Sequence, residues 1–320
     1  MCPKEPMTGQ ENPRHGNAAI PVDPSGCAAK ISDVHGPTGA DWLERLPALV
    51  AEFAAKWSLT VRPPFPILSY NYVTPVIGPS GEALVLKLGV PHPELWSEID
   101  ALRDFDGRGA VRLIDADRER GVLLLEHALP GEPLAMLPDD EAQIAALVVV
   151  MRRLWQPLPP GHPFRKVSDL ARGFDRLRAT FDGGYGPFPL AQIDRAWGLF
   201  RELAAGDEPT LIHGDLNPGN VLRGGREPWL AIDPKGYVGN PLFDTATFLN
   251  DPSPGLDEAT QRRTQARRVA LLAEALGVAR GDILAWAEAH AVLSAWWSYE
   301  DHGRGWEPGL RLAGIYRGMA

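Results

Sequence analysis

Leu211-Ile212-His213-Gly214-Asp215-Leu216-Asn217-Pro218-Gly219-Asn220-Val221-Leu222 is a polar loop held between two apolar pairs. Apolar ends of this kind anchor in a core, and the loop between them presents its polar groups from rigid supports. Asp215 and Asn220 stand five apart across a Pro-Gly bend. That spacing can aim one carboxylate at an acceptor hydroxyl and one amide oxygen at a metal. Thirteen residues after Asn220, Leu230-Ala231-Ile232-Asp233-Pro234 ends a short apolar strand on a second carboxylate. Mg²⁺ could be held between Asp233 and Asn220. Oxygen ligands and a base on two loops suit phosphoryl transfer once a cation meets the phosphates, because that transition state is stabilised mainly by charge and positioning.

Lys87 is the candidate cation. It stands alone in the run Ala83-Leu84-Val85-Leu86-Lys87-Leu88-Gly89, where a lysine is costly unless paired. On the next predicted helix Leu95, Ile99, Leu102 and Phe105 form the apolar stripe, and Glu98 lies beside it as the partner. Each residue also has a plainer reading: Asp215 as a turn or cap residue, Lys87 and Glu98 as a surface ion pair, His213 as packing for the loop. Their joint occurrence favours chemistry.

Outward from these residues, strands crowd the first 130 positions and helices dominate the rest. Tyr70 to Ile77, a Gly-Pro-Ser-Gly turn and Ala83 to Leu88 predict a hairpin, and Val111 to Ile114 and Val122 to Glu126 predict short strands. Helical periodicity predicts helices over Asp140 to Trp155, Leu190 to Ala205, Thr260 to Leu276 and Ile283 to Glu300. The expected fold is α+β and two-lobed: a disordered tail over 1–35, a sheet-rich lobe over 36–129, a hinge near Leu129-Pro130-Gly131 and a helical lobe over 130–320. Order is expected to begin at Asp41, the cap of a helix carrying Leu43, Leu46, Leu49, Val50 and Phe53.

The chain has 320 residues, 44% hydrophobic, with a formal net charge of −9. That balance disfavours nucleic acid and anionic lipid as partners and permits a cationic one. Its two cysteines, Cys2 and Cys27, cannot form a disulfide framework, and a reducing cytoplasm is expected. No stretch approaches the roughly 20 apolar residues of a membrane span, and the N-terminus does not read as a signal peptide.

In order and spacing, Lys87, Glu98, His213-Gly214-Asp215 with Asn220, and Asp233 resemble the protein-kinase-like fold. The wording His-Gly-Asp-Leu-Asn-Pro-Gly-Asn is similar to the aminoglycoside phosphotransferases. Pro228-Trp229-Leu230-Ala231-Ile232-Asp233-Pro234-Lys235-Gly236, with Leu46-Pro47-Ala48-Leu49-Val50 and Trp57, resembles their streptomycin 6-kinase and hydroxyurea phosphotransferase branch. The resemblance implies ATP and Mg²⁺, with Asp215 as catalytic base, Asn220 and Asp233 on the metal, and Lys87 on the phosphates steadied by Glu98. It implies that adenine meets the backbone of Glu126 and Ala128. The segment Pro66 to Tyr72, where a phosphate-covering loop should lie, has no glycine, so Ser69 and Asn71 would supply its contacts. Asn240 stands where the family usually has Asp, leaving Asp244 to brace the loop.

The acceptor is expected to be a small cationic molecule such as a streptomycin-like aminoglycoside, met by Trp297, Glu300 and Asp301 at the end of the late helix. The alternatives are a kinase for hydroxyurea or a metabolite, and a nucleotide-binding pseudokinase. Lys235 is open between solvent, substrate and phosphate.

Overall fold

The computed structural model describes residues 26–205, 210–250 and 256–320. Most of the expected tail, residues 1–25, lies outside them. Its last part is corrected: α1 runs Cys27–Lys56, so order precedes Asp41. Cys27 and Ile31 are buried in the same cluster as Trp42, Leu46, Val50 and Phe53. The helix bends at Gly36, whose φ of 55° suits only a residue without a Cβ.

Five strands follow: β1 (Thr60–Val61), β2 (Tyr72–Ile77), β3 (Ala83–Leu88), and, after α2 (Pro93–Phe105), β4 (Leu113–Asp117) and β5 (Val122–Glu126). They form one antiparallel sheet in the order β1-β2-β3-β5-β4. Alternation along β3 and β5 decides which side chain meets which helix. Leu84, Leu86, Leu88, Val122 and Leu124 join the core under α1. Val85, Leu123 and Leu125 join the core containing Leu95, Ile99 and Leu102 of α2. Lys87 follows the parity of Val85 and therefore faces α2. The strand expected from Val111 begins instead at Leu113, because the Val111 N–H donates to the Ala231 carbonyl at 3.0 Å and joins the first lobe to the second.

The second lobe contains α3 (Asp140–Leu154), β6 (Gln156–Pro157), β7 (Arg165–Lys166), α4 (Arg172–Thr180), α5 (Leu190–Leu203), β8 (Thr210–Ile212), β9 (Val221–Arg223), β10 (Trp229–Ala231), β11 (Tyr237–Val238), α6 (Phe243–Leu249), α7 (Glu258–Leu276), α8 (Arg280–His302) and α9 (Glu307–Arg317). Helix α8 is its axis: Trp286, Ala287, Leu293 and Trp296 are buried against its neighbours. Two strand pairings place the functional loops. Hairpin β9–β10 pairs Val221 with Ala231, and β8 pairs antiparallel with β11 through Ile212 and Tyr237. The chain leaving each pair emerges at the cleft between lobes. Among the described residues no helix is long and apolar enough to cross a membrane.

Candidate active site

The turn leading into Asp215 is built by hydrogen bonds to one buried carboxylate. Asp244, in the first turn of α6 and fully buried, accepts from the backbone N–H of His213 at 3.1 Å and of Gly214 at 2.7 Å. It also accepts from Trp155 Nε1 at 3.0 Å. Burial pushes its carboxyl up to about 6, against the pull of those three donors. His213 is equally buried, its ring Nε2 lies 2.8 Å from the Ile232 carbonyl, and burial lowers its pKa to about 4, so the ring is neutral. It braces the loop and holds no proton for chemistry near neutral pH.

Asp215 emerges just beyond this anchor. Its carboxylate receives Asn217 Nδ2 at 3.1 Å and Asn220 Nδ2 at 3.3 Å. Burial raises its pKa, while Lys235 and the Asn217 hydrogen bond act in the opposite direction. A carboxylate so placed is less acidic than a surface aspartate, as a general base requires. Asn217 also caps the next turn by accepting from the Gly219 and Asn220 N–H groups. Its role gave no separate signal in the sequence, although Asn three residues before Asn220 is an ordinary turn former.

Asn220 and Asp233 are brought together by the β9–β10 hairpin, extended by Ile232 N–H donating to the Asn220 carbonyl at 2.9 Å. The Asn220 amide nitrogen also donates to the Asp215 carbonyl at 2.9 Å, which leaves its side-chain oxygen for a cation. Asp233 has φ 58°, the left-handed region that few non-glycine residues occupy. Such backbone strain gathers at functional sites. Its side chain is 48% exposed toward the cleft, and one oxygen takes Lys87 Nζ at 3.0 Å. An amide oxygen and a carboxylate are hard donors that fit Mg²⁺, with phosphate and water oxygens completing the shell.

Lys87 is 2% exposed and reaches both Glu98 oxygens, at 2.7 and 2.9 Å. Burial alone would lower its pKa, but Asp233 and Glu98 overcome this and hold the ammonium charged. The residues read from the sequence as a strand cation and its helix partner therefore meet each other and Asp233 at one point.

The other expected residues fall unevenly. Loop 62–71 joins β1 to β2, as a phosphate-covering loop would. In it Ser69 is exposed, while Asn71 rests its side-chain oxygen against Gly89. The loop is held by α1: Lys30 Nζ donates to the Leu68 carbonyl at 3.3 Å, and Cys27 Sγ lies 3.7 Å from the Asn71 carbonyl. At the connector, Ala128 is buried, and the Glu126 carboxylate is clamped by Arg226 at 2.9 Å. Arg226 also donates to the carbonyls of Gly107 and Ala110, so the β9–β10 turn is fastened to the hinge.

Glu300 is paired: both its oxygens accept from Arg176, at 2.6 and 2.8 Å, which joins α8 to α4. Trp297 packs beside His290, with ring centroids 5.9 Å apart, and against Gly173. Asp301 is exposed, and desolvation raises its pKa, with the charges of Glu300 and Glu94 adding to the effect and His302 opposing it.

Residues 57–302 match the family model described as "Aminoglycoside/hydroxyurea antibiotic resistance kinase". The chain belongs to this kinase family. The kinase is 33% identical over 301 residues to a streptomycin 6-kinase of Streptomyces glaucescens, covering 92% of this chain and 97% of the relative. It is 35% identical over 272 residues to a hydroxyurea phosphotransferase of Kitasatospora aureofaciens, covering 83% and 77%. In fold it is similar to the crystal structure of choline kinase LicA from Streptococcus pneumoniae, with TM-score 0.58, 11% identity, and 86% and 99% of the two chains covered. The two-lobed α+β fold expected from the sequence is thereby shown.

Proposed function

We propose that this kinase transfers the γ-phosphoryl group of ATP to a hydroxyl of a streptomycin-like aminoglycoside in the cytoplasm, inactivating the drug. The observation that carries the reading is the convergence of Asp215, Asn220, Asp233 and the Lys87–Glu98 pair on one cleft, in a chain alike to a streptomycin 6-kinase along 92% of its length.

In this reading residues 36–129 bind nucleotide and 130–320 carry catalysis and the acceptor. The backbone of Glu126 and Ala128 meets adenine, and Ser69 and Asn71 lie over the phosphates. Lys87 holds the α- and β-phosphates, and Glu98 fixes its ammonium. Asn220 and Asp233 hold Mg²⁺, which when bound neutralises phosphate charge. Asp215 accepts the hydrogen bond of the acceptor hydroxyl and takes its proton as the oxygen–phosphorus bond forms and the bond to the ADP oxygen breaks. Asp301 and Trp297 border the acceptor.

The likeness to a hydroxyurea phosphotransferase favours a second reading that differs in acceptor alone. A screen of ATP consumption with streptomycin, hydroxyurea and choline separates the two. Streptomycin-dependent ADP formation with a phosphorylated drug in the mass spectrum is expected. Turnover with hydroxyurea and none with streptomycin would reverse the order of the two readings.

A further inference from the structure

Lys235 is a charged side chain at the cleft to which the roles above give no task. It follows Asp233 by two residues, and both lobes fix its backbone. Its N–H donates to the His213 carbonyl at 2.8 Å, and its carbonyl accepts from Ser97 Oγ of α2 at 2.8 Å. Its stem runs beside the turn that leads into Asp215: a Cβ on Gly214 would stand 3.2 Å from the Lys235 Cβ. The ammonium ends 3.2 Å from Glu94 in the first turn of α2, with 40% of the side chain exposed.

We propose that Lys235 is a second phosphate-binding cation, released from Glu94 to bind the phosphoryl group while it passes from ADP to the acceptor. The proposal rests on the phosphotransfer reading and adds a catalytic residue to it.

Three observations support it. First, Lys87 is fixed by three contacts at the inner end of the site, so it is not placed to follow a group moving toward Asp215. Second, a cation whose stem runs beside the turn into Asp215 repels a cationic acceptor but suits the anion that this reaction brings to Asp215, the phosphoryl group. Third, Lys235 and Glu94 are each about half exposed, and such pairs are weak, so the ammonium leaves Glu94 at little cost. Loop 62–71, glycine-free between Arg62 and Asn71, gives added value to a side-chain cation, because it lacks the bare backbone with which glycine loops approach phosphate. Arg165, the other nearby cation, is 3.9 Å from Glu94 and stacks 5.2 Å from the Tyr237 ring centroid. Lys235 exchanges no proton in this scheme; the acceptor proton goes to Asp215 and the electron pair of the broken bond to ADP.

The test compares the full-length wild-type protein with K235M and K235R, and with K235Q should K235M not fold. Steady-state kinetics with streptomycin and ATP are paired with calorimetric binding of ATP and of ADP without acceptor. K235M should lower kcat about 10²-fold, as losing one donor to a transition-state anion does, with both KM values moving less than about threefold. K235R should retain kcat within about tenfold of wild type, because the charge remains. K235M should also reduce the ratio of ATP to ADP affinity, since only ATP brings the third phosphate. A folded K235M with kcat within about threefold of wild type, or one that loses only acceptor affinity, overturns the proposal. Wild-type protein that consumes no ATP with any acceptor would remove the phosphotransfer reading itself, and this proposal with it.

Discussion

Asp215, Lys87 and Glu98 were legible as single residues because each is a charge where its surroundings are apolar or tightly turned. Asp215→Asn keeps the size and can still accept from one of Asn217 and Asn220, but it removes the carboxylate proposed as the base. Its kcat should fall on the order of 10²-fold or more with nucleotide affinity retained, which turnover assays beside ATP titration measure; near-wild-type turnover would exclude the role. Glu98→Gln leaves a buried ammonium with Asp233 as its remaining charged partner. Lys87 would then compete for that carboxylate with a Mg²⁺ held there, so the KM for ATP should rise, and stability should drop by about 3–5 kcal/mol, as when one partner of a buried pair is removed. Urea melts and ATP-dependent kinetics read both effects; an unchanged melt would mean that solvent reaches Lys87. Glu94, Lys235 and Arg226 were not assignable by the same reasoning. They stand in loops or at a helix start, where a charge is ordinary, and their partners lie 141 and 100 positions away.

Elements with strong periodicity were read close to their true bounds, as with Asp140–Leu154 and Leu190–Leu203. The first half of α1 was missed because Gly36, Pro37 and Gly39 interrupt the pattern between Ile31 and Trp42, and composition before them reads as a tail. That half-helix buries Ile31 completely and holds loop 62–71. Ile31→Ala should cost about 2–5 kcal/mol and raise the KM for ATP more than that for the acceptor; equal effects on both would detach α1 from the nucleotide loop. The short α6 also escaped, yet it carries Asp244. A folded value of about 6 against an ordinary 3.8 means that Asp244 stabilises the fold most below pH 3.8, and that this contribution is lost as pH rises through about 6. The difference corresponds to about 3 kcal/mol. Asp244→Asn abolishes the titration and turns an amide toward donors, so it should be destabilised throughout. Its deficit relative to wild type should be largest near pH 4 and smaller by up to about 3 kcal/mol above pH 7. Denaturant melts of both proteins across that range decide it, and a deficit that grows with pH would contradict the raised value.

At the scale of the whole molecule, segregation of strands and helices announced two lobes, but which surfaces close on each other was not written in either half. The lobes meet through Ser97 on the Lys235 and Gly236 carbonyls, Lys87 on Asp233, and Arg226 on Glu126. The charge of Glu94, in the first turn of α2, acts on Asp301 at the end of α8, in a chain whose net charge is −9. Under the proposed function, carboxylates there would draw a cationic acceptor, and salt would screen the attraction. Glu300, being engaged with Arg176, should behave differently from Asp301 although the two are adjacent. Asp301→Asn removes a carboxylate free to meet a guanidinium, so the KM for streptomycin should rise about tenfold or more with that for ATP unchanged, the size of a lost charge-assisted hydrogen bond. Its remaining activity should also depend less on ionic strength than that of wild type. Glu300→Gln instead unfastens α8 from α4, so it should lower the melting temperature and leave the salt dependence intact. Steady-state kinetics at two salt concentrations, with a thermal melt of each variant, separate the two residues. An acceptor KM that rises equally in both, with no change in melting, would place Glu300 in the pocket and make its bond to Arg176 one that the acceptor displaces.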